Sequence, residues 1–214
     1  ILYTYTDANG NSPLVEDNYY VYRYYTPKIE EIDLSSLEYL GNEAFINCFE
    51  LTKVTLGESL KEISDRAFEG CKKLTLINLE NVEVIGAQAF AEAALVTIDL
   101  SDAIYVDSYA FVNNFNLILV TLNTEGTDIG EGAFAYCEGL GKVVNLDVAE
   151  NIDAYAFAYT AINKADLSGA VQIGDFAFMK ESITDFELTL GESIVYIGDN
   201  PFAMCRLAPF WAEV

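Results

Sequence analysis

The chain has 214 residues and carries 34 Asp and Glu against 11 Lys and Arg, a net charge of −23 at neutral pH. That imbalance excludes nucleic acid and anionic lipid as partners, because both are held through basic patches. Just over half of the residues (52%) are apolar, enough to bury a core, yet no apolar run approaches the roughly 18 residues of a membrane-spanning helix, so membrane insertion is not expected.

The chain begins at Ile1, without an initiator Met or a basic-then-apolar leader, and reads as a mature fragment or a piece trimmed of its flanks. Residues 1–28 follow no repeat. Leu2–Thr6 and Tyr19–Tyr25 are Tyr-, Thr- and Val-rich runs separated by Asn9-Gly10 and Pro13, and they predict an N-terminal β cap or the remnant of a preceding domain. Asp7, Asn9 and Asn11 mimic the first ligands of a calcium loop, but Asn18 stands where the chelating Glu belongs, so a hairpin turn is expected instead.

From residue 29 the chain is periodic. Ala44-Phe45, Ala67-Phe68, Ala89-Phe90, Ala110-Phe111, Ala133-Phe134, Ala156-Phe157, Ala177-Phe178 and Pro201-Phe202 recur at steps of 21 to 24 residues. Five residues before each Phe stands an aliphatic (Leu40, Ile63, Ile85, Val106, Ile129, Ile152, Ile173, Ile197), and five or six after it another, from Leu51 to Leu207. An apolar-polar-Leu segment follows, as in Val54-Thr55-Leu56, Ile98-Asp99-Leu100 and Ala165-Asp166-Leu167. Such a period of two predicts a short half-buried strand in every rung. One rung cannot bury its own apolar set, so the rungs must stack, with the Phe filling the core from the opposite wall. At about 4.8 Å between neighbours, eight inner strands span roughly 34 Å.

The pattern resembles the BspA-like (Treponema-type) leucine-rich repeats, whose rung runs approximately L-x-x-V-x-L-P-x-S-V-x-x-I-G-x-x-A-F-x-x-C. The best match runs from Leu51 to Cys71 and holds Val54, Leu56, Ser59, Leu60, Ile63, Ala67 and Phe68. Gly57 and Gly191 replace the usual Pro, and the Cys column persists only at Cys48, Cys71, Cys137 and Cys205. The resemblance implies an α/β-type repeat solenoid: a right-handed superhelix over 29–214, with about eight rungs, a parallel inner β-ladder, short strands, and short helical or 3-10 turns. It also implies a secreted or bacterial cell-surface protein that mediates attachment to a protein or glycan.

At the C-terminus Leu207, Phe210 and Trp211 predict a ninth, incomplete strand and a minimal cap. A thin cap leaves end-to-end self-association into a fibre as an alternative function. Histidine is absent, which removes Ser-His-Asp and Cys-His catalysis and His-containing zinc sites. No metal site or cofactor is expected, and catalysis is not; a carboxylate-based hydrolase is the remaining enzymatic alternative. The four cysteines share one repeat column and are expected as buried, reduced packing residues.

Two surfaces are candidate binding sites. The middle residues of the inner strands are Asp33, Thr55, Asn78, Asp99, Thr121, Asn145, Asp166 and Glu187, which form either a solubilising strip or a recognition strip for a cationic or hydroxyl-rich ligand. Two residues before and after the Phe of rungs four to seven stand Tyr109, Tyr136, Tyr155, Tyr159 and Phe176, where the first three rungs carry mainly polar and charged residues. Such a one-sided aromatic stripe marks a partner contact, or else rings lying over small neighbours such as Gly132 and Ala158.

Overall fold

In the computed structural model, residues 28–207 are described. The cap strands expected at Leu2–Thr6 and Tyr19–Tyr25, the Asn9-Gly10 turn, and Phe210 and Trp211 of the ninth strand expected from Leu207 lie outside the described residues, whereas Leu207 itself ends the strand Cys205–Leu207.

Stacked rungs share one core, and its axis is a column of phenylalanines. Phe45, Phe68, Phe90, Phe111, Phe134, Phe157, Phe178 and Phe202 follow one another with ring centroids 5.2–5.6 Å apart and planes within 20° of parallel. The six inner members are fully buried, as are the alanines that precede them. Each buried Phe contributes about 1.5–3 kcal/mol by transfer, and each stacked pair about 0.5–1.5 kcal/mol more. The Leu and Ile columns close over the rings: Leu51, Leu74, Leu95, Leu117, Leu140, Ile63, Ile85, Ile152 and Ile173 are all completely buried.

Three walls surround this core. The first is the inner ladder, divided into three parallel three-stranded sheets: Glu31–Leu34 with Lys53–Leu56 and Leu76–Ile77, then Thr97–Leu100 with Leu119–Leu122 and Lys142–Val144, then Lys164–Leu167 with Thr184–Leu190 and Cys205–Leu207. The second is unbroken. Seven two-residue parallel strands, from Glu62–Ile63 to Tyr196–Ile197, pair in sequence, each presenting its Ile or Val column. Among the described residues the continuous β-ladder is therefore the short strand before each Phe from Phe68 to Phe202.

The third wall carries the Ala-Phe segments. The short helical or 3-10 turns that the resemblance implies are nearly absent: the single helical element among the described residues is the 3-10 turn Leu146–Val148, outside the Ala-Phe segments. Instead, of the sixteen positions two residues before or after a Phe, every one except Lys180 has a positive φ, thirteen of them without being glycine. Alternate N–H groups leave the rung and donate to the next one, as Glu43 to Asp65 O, Phe45 to Ala67 O and Asn47 to Glu69 O at 2.7–2.9 Å. The intervening N–H groups turn back three residues, as Cys48 does to Phe45 O. A helix would direct all its N–H groups along its own axis. The left-handed residues free every second one to hold the adjacent rung.

The Cys column has a role in this wall. Cys71 Sγ donates to Phe45 O at 3.2 Å, Cys137 Sγ to Phe111 O at 3.1 Å and Cys205 Sγ to Phe178 O at 3.3 Å, each crossing to the preceding rung. Asn114, which replaces Cys in the same column, donates to Phe90 O at 2.7 Å. All four cysteines are free thiols. Burial pushes those of Cys71 and Cys137 up to about 12, so both are protonated donors and poor nucleophiles. Gly57 and Gly191 stand where rungs touch: a Cβ on either would lie within 2 Å of the carbonyl oxygen of Ser35 or Ser168.

Candidate functional site

The inner-strand strip forms only in part. Asp33 pairs with Thr55, and Asp99 with Thr121, in adjacent register. Asn78 lies just past the strand Leu76–Ile77 and outside any sheet, so the strip is interrupted between Thr55 and Asp99. Two expected members sit elsewhere. Thr121 pairs with Val144, while Asn145 follows in a left-handed conformation at φ 63°. Asp166 pairs with Thr189, while Glu187 pairs with Lys164 and forms a 2.9 Å ion pair with it. The slips have a plain cause: Val143-Val144 offers two equivalent β-branched residues, and Phe186 mimics the start of the motif two residues early.

The strip's polar side chains also have local employment. Asp33, Asp99 and Asp166 each accept the N–H of the Ser two residues on, at 2.9–3.1 Å, closing a turn at the strand end. For Asp33 the hydrogen bonds from Ser35 hold the carboxyl below its ordinary value. Asn78 accepts the Leu56 N–H at 2.9 Å, and Asn145 donates to Leu122 O at 2.8 Å. These residues join rungs and close turns.

The aromatic stripe does assemble. Tyr136 and Tyr159 stack with centroids 4.6 Å apart, and Tyr155 stacks on Phe176 at 5.2 Å. Tyr136 and Tyr155 remain 44% and 37% exposed although flanked by fully closed core. Tyr109 lies over Gly132, where a Cβ would meet its ring at 2.4 Å, and hydrogen-bonds Glu131. That hydrogen bond, more than burial, pushes the Tyr109 phenol up to about 12. Ala135 and Ala158, which precede the two stacked tyrosines in the chain, are buried. Both stacks belong to the turn wall, two residues either side of the core Phe.

Their backbone is the part the sequence conceals. Tyr109, Tyr136, Tyr155, Tyr159 and Phe176 all have φ between 55° and 60°. Left-handed backbone costs a non-glycine residue about 1–2 kcal/mol, and Gly or Asn is the residue that adopts it most readily. Other rungs use them at the same positions, as at Gly70, Asn47 and Asn113. A stacked pair returns about 0.5–1.5 kcal/mol, less than two left-handed residues cost. The fold asks for a left-handed residue here and does not ask for an aromatic one.

Beside the stripe lies a cleft of about 240 Å³ lined by Glu131, Asp153, Gln172, Asp175 and Tyr196 among others. Burial, reinforced by the carboxylates of Asp128 and Glu131 and opposed by a hydrogen bond from Gln172, raises Asp153 above the ordinary carboxylate value. Among the described residues, no group of three or more Cys, Asp or Glu is placed to hold a metal ion.

Residues 18–141 and 104–211 match the model of the BspA type leucine rich repeat region, in six copies. A leucine-rich repeat protein from Bacteroides ovatus has a similar fold, with 18% identity and a TM-score of 0.59 over 84% of this chain and 66% of that one. A leucine rich cell surface protein from Faecalibacterium prausnitzii is 25% identical, with a TM-score of 0.53 over 83% of this chain. The chain therefore spans about two thirds and two fifths of the lengths of these two proteins, 66% and 41%. No curated protein matches the sequence.

Proposed function

The chain belongs to the BspA-type leucine-rich-repeat family, and from that premise we propose that it is a non-catalytic binding module, displayed at a bacterial surface or secreted, that engages a protein or glycan through its turn wall. The observation that carries this reading is the pair of aromatic stacks at Tyr136–Tyr159 and Tyr155–Phe176, half-exposed on backbone that favours Gly or Asn. Exposed rings grouped in this way supply large contact area at little conformational cost. The surface location takes its support from the family and from the description of the Faecalibacterium protein. Among the described residues no helix is long and apolar enough to cross a membrane.

Capture experiments on glycan and extracellular-protein panels test the reading. The wild-type chain is expected to retain a partner that a Tyr136→Asn, Tyr159→Asn variant releases. Equal retention by both would remove the stripe as the site, and silence across the panels would remove the module.

A further inference from the structure

Rungs four to seven differ from the first three in how their charge is balanced. In the early rungs the turn wall neutralises itself: Arg66 bonds both Glu43 and Glu69, and Lys72 meets Glu92 at 3.1 Å. Between Ile104 and Ile183 the bases are Lys142, Lys164 and Lys180. Lys142 and Lys164 stand on inner-ladder strands, away from the turn wall, and Lys180 is buried with Nζ donating to Thr160 O at 2.8 Å. Among the described residues, Glu131, Asp153, Asp175 and Glu181 of this wall form no ion pair. Glu131 bonds the Tyr109 hydroxyl, Asp153 leads into Tyr155, Asp175 into Phe176, and Glu181 lies close enough to disfavour ionisation of Tyr159. Asp153, Glu131 and Asp175 share one cleft.

Aromatic faces beside uncompensated carboxylates suit one ligand chemistry in particular. A guanidinium or ammonium group gains from the ring quadrupole when it lies within about 6 Å of the centroid, and a planar guanidinium also meets a carboxylate bidentately. A neutral sugar would stack on the rings and donate hydroxyls to the acids but leave their charge uncompensated. We infer that the aromatic stripe of rungs four to seven docks a basic polypeptide segment, whose Arg and Lys side chains lie over Tyr136, Tyr155, Tyr159 and Phe176 with their charges against Glu131, Asp153 and Asp175. This deepens the binding-module reading and rests on it. Burial first, and the Asp128 and Glu131 carboxylates after it, raise the Asp153 carboxyl, and an incoming cation would favour its ionised form against both.

The test uses the full chain and three short synthetic peptides, alternating Arg-Gly, Lys-Gly and Glu-Gly, titrated calorimetrically at low and high salt. The arginine peptide is expected to bind most tightly, the lysine peptide more weakly and the glutamate peptide not at all. Affinity should fall with salt without vanishing, because stacking survives screening. Tyr136→Asn with Tyr159→Asn should weaken the arginine peptide by about tenfold, as should Asp153→Asn with Asp175→Asn. Glu43→Gln with Glu92→Gln, on the early rungs, should leave it unchanged. Thermal unfolding followed by circular dichroism checks that each variant is folded. Binding lost equally from early-rung and stripe variants would mean diffuse attraction to an acidic protein and would overturn the inference. So would an arginine peptide that fails to bind while a glycan or neutral protein is still captured through Tyr136 and Tyr159; that outcome leaves the binding-module reading standing. If the peptide fails and nothing else depends on the stripe, both fall together.

Discussion

The first three rungs and the next four are built on one backbone and finished with different surfaces. Both have the same stacked Phe column, a buried Leu, Ile or Val five places before each Phe, and left-handed residues two places either side of Phe at every position but Lys180. At those places the early rungs put Glu43, Arg66, Gln88 and Glu92, and the later ones Tyr109, Tyr136, Tyr155, Tyr159 and Phe176. The early set pairs its charges internally, while the later set stacks its rings and leaves carboxylates without cations. Identical backbone demands thus met two different side-chain choices. The demand explains the fold, and the choice has to be explained by something outside it.

The comparison breaks first if the cores are not equivalent. Phe68→Ala and Phe134→Ala each delete a fully buried ring stacked on both faces, and each should cost about 3–5 kcal/mol in urea unfolding. A large gap between the two would show that one half carries the solenoid and the other follows.

Glycine substitutions sharpen it next. Gly70 stands two residues after its core Phe and Gly132 two residues before its own, both left-handed, at φ 70° and 58°. An added Cβ meets the end of the Asn47 side chain at Gly70 and the Tyr109 ring at Gly132. Asn47 can swing away, but the ring is held by its stack on the backbone and its bond to Glu131. Gly132→Ala should therefore cost about 2–3 kcal/mol and Gly70→Ala about 1 kcal/mol, by chemical denaturation. Tyr109→Ala in the Gly132→Ala background should recover part of the difference.

Smaller effects come from charge. Arg66→Ala removes half-exposed ion pairs and should cost under about 1 kcal/mol, shrinking with added salt. Two groups give pH signatures of opposite slope. Asp153 has a raised folded-state value, so the folded chain binds the extra proton, and stability falls as pH rises from 3.8 through that value. Asp153→Asn should flatten this limb. Burial lowers Lys180 from 10.5 to about 8, so its cost is present in full below that pH and is relieved as pH rises between the two values. Lys180→Met should stabilise the chain near neutrality and remove the alkaline rise.

Much of the fold was legible because each repeat column answers one physical question. The Ala-Phe, Ile and Leu columns all go inside, as an apolar set with fixed spacing must when rungs stack. What sequence could not show was how the Ala-Phe segment runs. Left-handed backbone announces itself through Gly and Asn, and here Glu, Arg, Gln and Tyr stand in most of those positions, so the segment looked like a helical turn. Gly70, Gly132, Asn47, Asn113 and Asn200, aligned in phase, were the available signal. The division of the inner ladder was hidden for another reason. Strand pairing depends on residue-level register, and Val143-Val144 and Phe186 each offered a second plausible frame. The aromatic stripe was legible as a one-sided column, whereas its isolation from basic residues emerges only when the walls are assigned.

The most direct test is the unfolding free energy of the triple variant Tyr136→Asn, Tyr155→Asn, Tyr159→Asn, measured in urea beside the unmodified chain. Asparagine suits φ near +57° while the rings contribute mainly stacking, so the variant should lie within about 1 kcal/mol of the parent or above it. A loss as large as that of Phe134→Ala would show that the rings hold the solenoid together, and their assignment to a partner would be wrong.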